Sequence, residues 1–454
     1  LELHVGFVAS PSQSTATQFE PILNDPSGNF SLGFLRVSKT QLTLAVTHLP
    51  SLQPLWKAQP QARWSSKAEL HFNGSIVISD TETGAIWSTG TNGDRAVLLN
   101  TSNLVVEREE EVLWESFGFP QNTLVESQNF SSNATLVSSN GLYSMKLGED
   151  FMALYARFDP VGNPQVYWRH KALEAKADVV PENGPIYARV DPDGFLGMYQ
   201  TGTTPPVDVQ AFTSFNRHVD NFLILRLDTD GNLRGYSWDG SQWVSEYQAI
   251  SDTCEMPSPC GLYGLCQAGS GSDPCSCLDN QTRPESGQCF DGHATGDFCD
   301  NKGFEVIRRN GVELPFKELM RYETTSSVEE CEGICDRNCT CWGSVYNNGS
   351  GFCYIVDYPI QTVLGSGDQS KSGYFKMRRK REHKEMGVGL EVGLALLGGA
   401  VLALLGIICF AGRRVWIRRR GDKRILEEIN GVSPGPYKDL GSASFRSIEM
   451  CSSK

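Results

Sequence analysis

A chain of 454 residues is too long for a single hydrophobic core and should divide into roughly three or four domains. Its formal net charge of −13 is unevenly placed: residues 376–454 hold 16 Lys and Arg against 8 Asp and Glu, leaving 24 basic and 45 acidic residues in 1–375. So acidic an N-terminal region argues against nucleic acid and other polyanions as ligands, whereas the basic C-terminal part suits anionic headgroups.

The chain opens at Leu1 without Met or an apolar leader, which reads as a mature protein that has lost a signal peptide. From 28 to 250 short runs of Val, Ile, Leu, Phe, Tyr and Trp alternate with Gly, Asn and Asp turns, and no long helical period appears. In "ELHFNGSIVISDTETGAIWSTG" (69–90), Ile76 and Ile78 alternate with Ser75, Val77 and Ser79, predicting a strand, a "TETG" turn and a second strand. The unit "AVLLNTSNLVVEREEEVLWESF" (96–117) repeats that order, so hairpins ending in Trp87 and Trp114 are expected in one pseudo-symmetric assembly.

A larger repeat follows. "GNFSLGFL" (28–35) is echoed by "NGLYSMKL" (140–147), "LWKA" (55–58) by "YWRH" (167–170), and "ELHFNGSIVISD" (69–80) by "LRLDTDGNLRGYSWD" (225–239), with Gly74 and Gly231 at the turns. "EAKADVVPENGPIYARVDPDG" (174–194) reads as an inserted loop. Two tandem all-β modules, 1–138 and 139–250, are therefore predicted.

Twelve of the fourteen Cys lie between Cys254 and Cys353, a density that predicts disulfides and an oxidising compartment. Six (Cys254, Cys260, Cys266, Cys275, Cys277, Cys289) fall in 251–292, where spacing alone leaves fifteen connectivities open. No paired C-x2-C with a His ladder is present, and only Asp252 precedes the first Cys with a calcium-type ligand, so no metal and no cofactor are expected. The other six (Cys299, Cys331, Cys335, Cys339, Cys341, Cys353) fall in 293–378. There "SVEECEGICDRNC" predicts a short helix, capped by Ser326 or Ser327, with Cys331, Cys335 and Cys339 on one face. Eight Asn-x-Ser/Thr sequons, at Asn29, Asn73, Asn100, Asn129, Asn133, Asn280, Asn338 and Asn348, also point outside the cell.

"VGLALLGGAVLALLGIICFAG" (392–412) holds 21 residues without a charge, enough to cross a bilayer as a helix; a transmembrane helix over 388–412 is predicted. Both flanks are basic, and the sequons and cysteines put the N-terminal side outside. Gly389, Gly393, Ala395, Gly399 and Ala403 have the small-xxx-small spacing that lets helix backbones approach closely. "GVGLEVG" has the glycines of a phosphate loop but no strand–helix context. The tail, 413–454, is expected to be cytoplasmic and disordered, and "CSSK" makes a poor prenylation box.

"GNFSLGFL", "AIWSTG", "AVLLNTSNLVV" and "LWESFGFPQNTLVESQ" resemble the bulb-type lectin domain of plant S-locus glycoproteins and S-domain (G-type lectin) receptor kinases. "LRLDTDGNLRGYSWDGSQW" with "CGLYGLC" resembles their S-locus glycoprotein region and EGF-like module, and "SVEECEGICDRNCTCWGSVYNNGSGFCYI" their PAN/apple module. The resemblance implies a mainly β chain: tandem bulb-lectin-like β-prism modules, then disulfide-rich EGF-like and PAN/apple modules, a single transmembrane helix and a short disordered tail. It also implies the pairs Cys254–Cys266, Cys260–Cys275, Cys277–Cys289, Cys331–Cys353, Cys335–Cys341 and Cys299–Cys339. The family's kinase domain is missing from these residues.

Mannose recognition in such lectins uses Gln-x-Asp-x-Asn-x-Val-x-Tyr. At 71–79 the matching positions are His71, Asn73, Ser75, Val77 and Ser79, where only Val77 agrees. At 99–107, Asn103 and Val105 agree; at 228–236, Asp228, Asn232 and Tyr236 agree, with Asp230 between them. Each lost polar partner costs about 1–3 kcal/mol, so these are degenerate positions. "DTDGN" is also a good hairpin turn. No catalytic constellation occurs, and an enzyme is not expected. The reading is a single-pass plasma-membrane, receptor-like glycoprotein without a kinase. It would recognise a protein or peptide partner as a co-receptor or decoy, with a kinase-bearing receptor of the same family as one such partner. The alternative is a membrane-tethered, cell-wall carbohydrate lectin of mannose type, resting on 228–236 alone.

Overall fold

The computed structural model describes residues 2–427 except 13–17, 39–40, 60–61, 64–66, 81–83, 161, 173–178, 201–205, 213–220, 270–273, 280–288, 291–297, 300–303 and 379–387. The sequon at Asn280 and the tail beyond 427 lie outside the described residues.

The N-terminal part is built from antiparallel sheets in groups of three. Phe19–Asn24, Phe30–Arg36, Gln41–His48 and Gln53–Lys57 form one; Gly84–Ser88, Ile76–Asp80, Ala68–Phe72 and Phe7–Ala9 the next; Glu2–His4, Arg95–Leu98, Leu104–Arg108 and Glu111–Glu115 the third. Their inner faces close on one core that includes Leu32, Leu44, Leu70, Ile78, Leu98 and Val106. Trp56, Trp87 and Trp114, one from each sheet, meet with ring centroids 5.6, 5.6 and 6.0 Å apart. This is a β-prism, and Trp56 completes the symmetry that the two Trp-ended hairpins announced.

A second prism repeats the plan. Its sheets centre on Leu223–Leu227 with Leu233–Trp238, Ile186–Asp191 with Phe195–Gln200, and Tyr143–Leu147 with Phe151–Ala156. Each takes an edge strand from the entering chain: Thr123–Val125, Asn129–Phe130 and Leu136–Val137 respectively. The module limit expected at 138 thus falls after three strands that pair with the later module. Part of the expected insertion at 174–194 is also a core strand, since Ile186, Ala188 and Val190 are buried at alternate positions. Such an alternating "IYARVD" was readable as strand; the Pro, Glu, Asn and Gly before it masked the signal.

The two turn glycines behave alike. Gly74 and Gly231 both have positive φ, +100° and +91°, which an L side chain adopts only under strain. A Cβ on Gly231 would also lie 2.8 Å from the Pro257 ring.

The cysteine-rich part is joined by Cys254–Cys266, Cys260–Cys275, Cys277–Cys289, Cys299–Cys339, Cys331–Cys353 and Cys335–Cys341. A five-stranded sheet, ordered Glu305–Asn310, Lys371–Met377, Gly343–Asn347, Phe352–Val356, Tyr322–Thr324, packs against helix α1, Val328–Asp336. Ser327 caps α1 by accepting from the Glu330 N–H at 3.3 Å. The expected face of three cysteines is cut short, because α1 ends at Asp336 and leaves Cys339 beyond it. The fully buried Lys376 explains the stop: its ammonium donates to the carbonyls of Cys335, Asp336 and Asn338 at 2.8, 3.4 and 3.2 Å. Strand Gly264–Cys266, in the segment expected to be EGF-like, runs parallel to Val363–Gly365 in a shared sheet, so the pairing crosses the limit expected at 292.

Residues 380–454 form a separate unit. Within it α2, Val388–Glu427, contains a 23-residue stretch, Leu396–Arg418, of mean hydropathy 2.0 that is long and apolar enough to cross a membrane. The helix runs past the predicted end at Gly412 into the basic segment.

Candidate functional site

Each set of sugar positions sits at a hairpin of a prism. In the first, Asn73 is exposed at the turn and its side-chain oxygen accepts from Ser75 N at 3.2 Å. Ser75 is buried and held by Thr91, whose N–H donates to its hydroxyl at 2.7 Å. Val77 is 6 % exposed and offers no open apolar face. In the second, buried Asn103 donates to Glu115 at 2.8 Å and accepts from Ser116 Oγ and Phe117 N at 3.1 and 3.2 Å, while Val105 is buried.

The third set is the most polar and the most self-contained. Asp228 accepts from Arg226 Nε (2.6 Å), Arg234 Nη1 (2.7 Å) and the Tyr236 hydroxyl (2.6 Å). Asp230 accepts from Arg234 at 3.0 and 2.6 Å and from Asn232 N at 2.9 Å. Asn232 is buried, donating to Ile250 O at 2.7 Å and accepting from Ile250 N at 3.1 Å. The Arg226 guanidinium lies 4.4 Å from the centre of the Tyr236 ring. Burial alone would push the Asp228 carboxyl up, but Tyr236, Arg226 and Arg234 outweigh it and hold the group below the usual carboxylate range. A cleft of about 410 Å3 adjoins this network, lined by Tyr143, Asp230, Asn232, Arg234, Gln248 and Thr253 among others.

Sequence reading missed a second cleft, of about 620 Å3, where the two prisms meet. Its walls come from residues 29 to 240, a separation no local motif could bridge. Phe30 and His48 of the first prism meet Phe222 and Trp238 of the second, with His48 stacked on Phe222 at 5.2 Å. Burial pushes the His48 imidazole down to about 4, so this ring is neutral at ordinary pH.

Cys260, Cys266 and Cys275 bring their sulfurs within 4.8 Å of one another, but each is in a disulfide and cannot ligate a metal as a thiolate. The seven described sequon asparagines, Asn29, Asn73, Asn100, Asn129, Asn133, Asn338 and Asn348, are all exposed. Gly389, Gly393, Ala395, Gly399 and Ala403 all lie on α2, and Gly399 and Ala403 are exposed.

Comparison with known proteins places this geometry. The profile of the D-mannose binding lectin family matches residues 56–146, and that of the S-locus glycoprotein domain matches 198–283. A PAN domain-containing protein of Arabidopsis thaliana is 56% identical over 99% of this chain and 92% of its own length. The chain belongs to the S-domain glycoprotein family. Other S-domain relatives in A. thaliana include a G-type lectin S-receptor-like serine/threonine-protein kinase, 27% identical over 77% of this chain and 43% of the kinase. EP1-like glycoprotein 4 is 25% identical over 79% of this chain and 89% of its own length. Among solved structures, a monocot mannose-binding lectin from Gastrodia elata aligns with 29% of this chain and 98% of its own, at 16% identity and a TM-score of 0.21.

Proposed function

We propose that this S-domain glycoprotein is a single-pass receptor-like protein of the plasma membrane, with its N-terminal side outside. It recognises a protein or peptide partner through the ectodomain and acts as a co-receptor or decoy beside kinase-bearing relatives. One observation carries the partner type: the polar groups at 228–236, the best of the three sugar positions, are spent on Arg226, Arg234 and Ile250. A sugar would have to break charge-assisted bonds worth about 1.5–3 kcal/mol each to enter. The expected result on a glycan array is no mannose binding, and mannose binding by the unaltered protein would favour the tethered-lectin reading instead.

Signalling would pass laterally through α2. A Cβ at Gly399 meets nothing within 4 Å, so Leu there leaves the helix itself intact and obstructs only a neighbour. Gly399→Leu with Ala403→Leu should reduce co-purification of a kinase-bearing S-domain receptor from membranes. Unchanged recovery removes the helix from the contact, and recovery of no such kinase by the unaltered protein sinks the co-receptor role.

A further inference from the structure

Asn29 and Asn100 reach the rim of the cleft between the prisms from two different loops of the first prism. Both are exposed sequon residues. None of the other five described sequons lines this cleft. Two glycan attachment points therefore converge on one concavity, and its chemistry suits what they would carry.

The floor is an aromatic platform of edge-to-face rings, Phe30 to Phe222 at 5.1 Å and His48 to Trp238 at 5.6 Å, in which Phe222 and Trp238 are partly exposed and Phe30 and His48 are buried. Around it stand the acceptors Glu126, Asp193 and Asp239, and no Lys or Arg among the described residues lines the cleft. A pyranose presents a C–H face that packs on aromatic rings and hydroxyls that donate to carboxylates. Because His48 stays neutral, the platform adds no charge of its own.

We propose that the first sugars of this chain's own N-glycans, attached at Asn29 and Asn100, occupy the cleft and cap the joint between the prisms. Tethering raises the effective concentration of the sugar to about the millimolar range, so contacts too weak to retain a free saccharide hold an attached one. The cleft is then a filled intramolecular site. The inference stands whether or not the partner reading holds.

The test uses the full chain expressed in human cells, with site-resolved glycopeptide mass spectrometry. The folded protein is treated with a peptide-N-glycosidase, and release is timed at each sequon. Glycans at Asn29 and Asn100 should be released roughly tenfold more slowly than those at Asn129, Asn133 and Asn348, the factor expected from about 1.4 kcal/mol of protection. The difference should vanish once the protein is unfolded. The double variant Asn29→Gln, Asn100→Gln should raise hydrogen exchange at 221–222 and 238–240, while Asn129→Gln, Asn133→Gln should not. Equal release at all sites, or unoccupied sequons at both 29 and 100, overturns the proposal, as does an equal response from the control pair. A basic peptide cross-linked to 238–240 in the fully glycosylated protein would overturn it too. If the double variant fails to fold, the release rates on the native protein decide alone.

Discussion

At the residue scale, Tyr236 and Asp228 show how a binding pattern becomes a structural one. The Tyr236 hydroxyl donates to a half-buried carboxylate already holding two guanidinium groups. Tyr236→Phe should therefore cost about 1.5–3 kcal/mol, the range for hydrogen bonds to charged groups, measured by chemical denaturation. A change within experimental error would mean that the network is not structural and would reopen the sugar reading. His48 supplies a pH dependence of definite sign. Its folded pKa of about 4 lies below the ordinary 6.5, so between those values the unfolded chain takes up a proton that the folded chain refuses. Well above pH 6.5 this group adds no pH dependence, and stability falls as pH drops through 6.5 towards 4. His48→Gln should flatten the melting temperature in that window; an unchanged slope would assign it to other groups. Asp228, held low, adds its own loss only as pH falls through the carboxylate range.

At the scale of elements, α1 is secured at both ends by side chains. Ser326 donates through N and Oγ to Glu330 at 2.8 Å each, while Ser327 takes the Glu330 N–H, a reciprocal cap. Ser327→Ala should cost about 1 kcal/mol. Lys376→Met should cost more, about 1.5–3 kcal/mol, because it leaves carbonyls at the other end without their cation. Equal losses in urea unfolding would count against a special role for Lys376. The start of α1 was legible from "SVEE"; its end was not, since Lys376 arrives from a strand 40 residues later.

For the whole molecule, the prisms hold no cysteine, whereas all six disulfides lie between Cys254 and Cys353. Removing a disulfide from a small secreted domain costs about 2–5 kcal/mol. Reduction should accordingly unfold 254–353 first and leave the Trp56, Trp87 and Trp114 cluster intact, followed by tryptophan fluorescence and hydrogen exchange. A single transition for both regions would show that contacts such as Phe158 against Tyr358, 5.4 Å apart, couple them into one cooperative unit.

Period-two alternation, turn glycines and clustered cysteines determined the mainly β class, the two-fold repetition and the oxidised C-terminal part, because each signal is local in the chain. The apolar run likewise announced α2 by composition alone. Tertiary structure decided the rest. Edge strands from 123–137 complete the second prism, and Val125 with Ile224 packs into the core of the first, so the two prisms share apolar contacts that no repeat could reveal. Burial by those contacts is also what neutralises His48 and draws Phe30, Phe222 and Trp238 into one cleft. Sequence fixes which residues can bury or bend; which distant ones are desolvated together depends on how the sheets close.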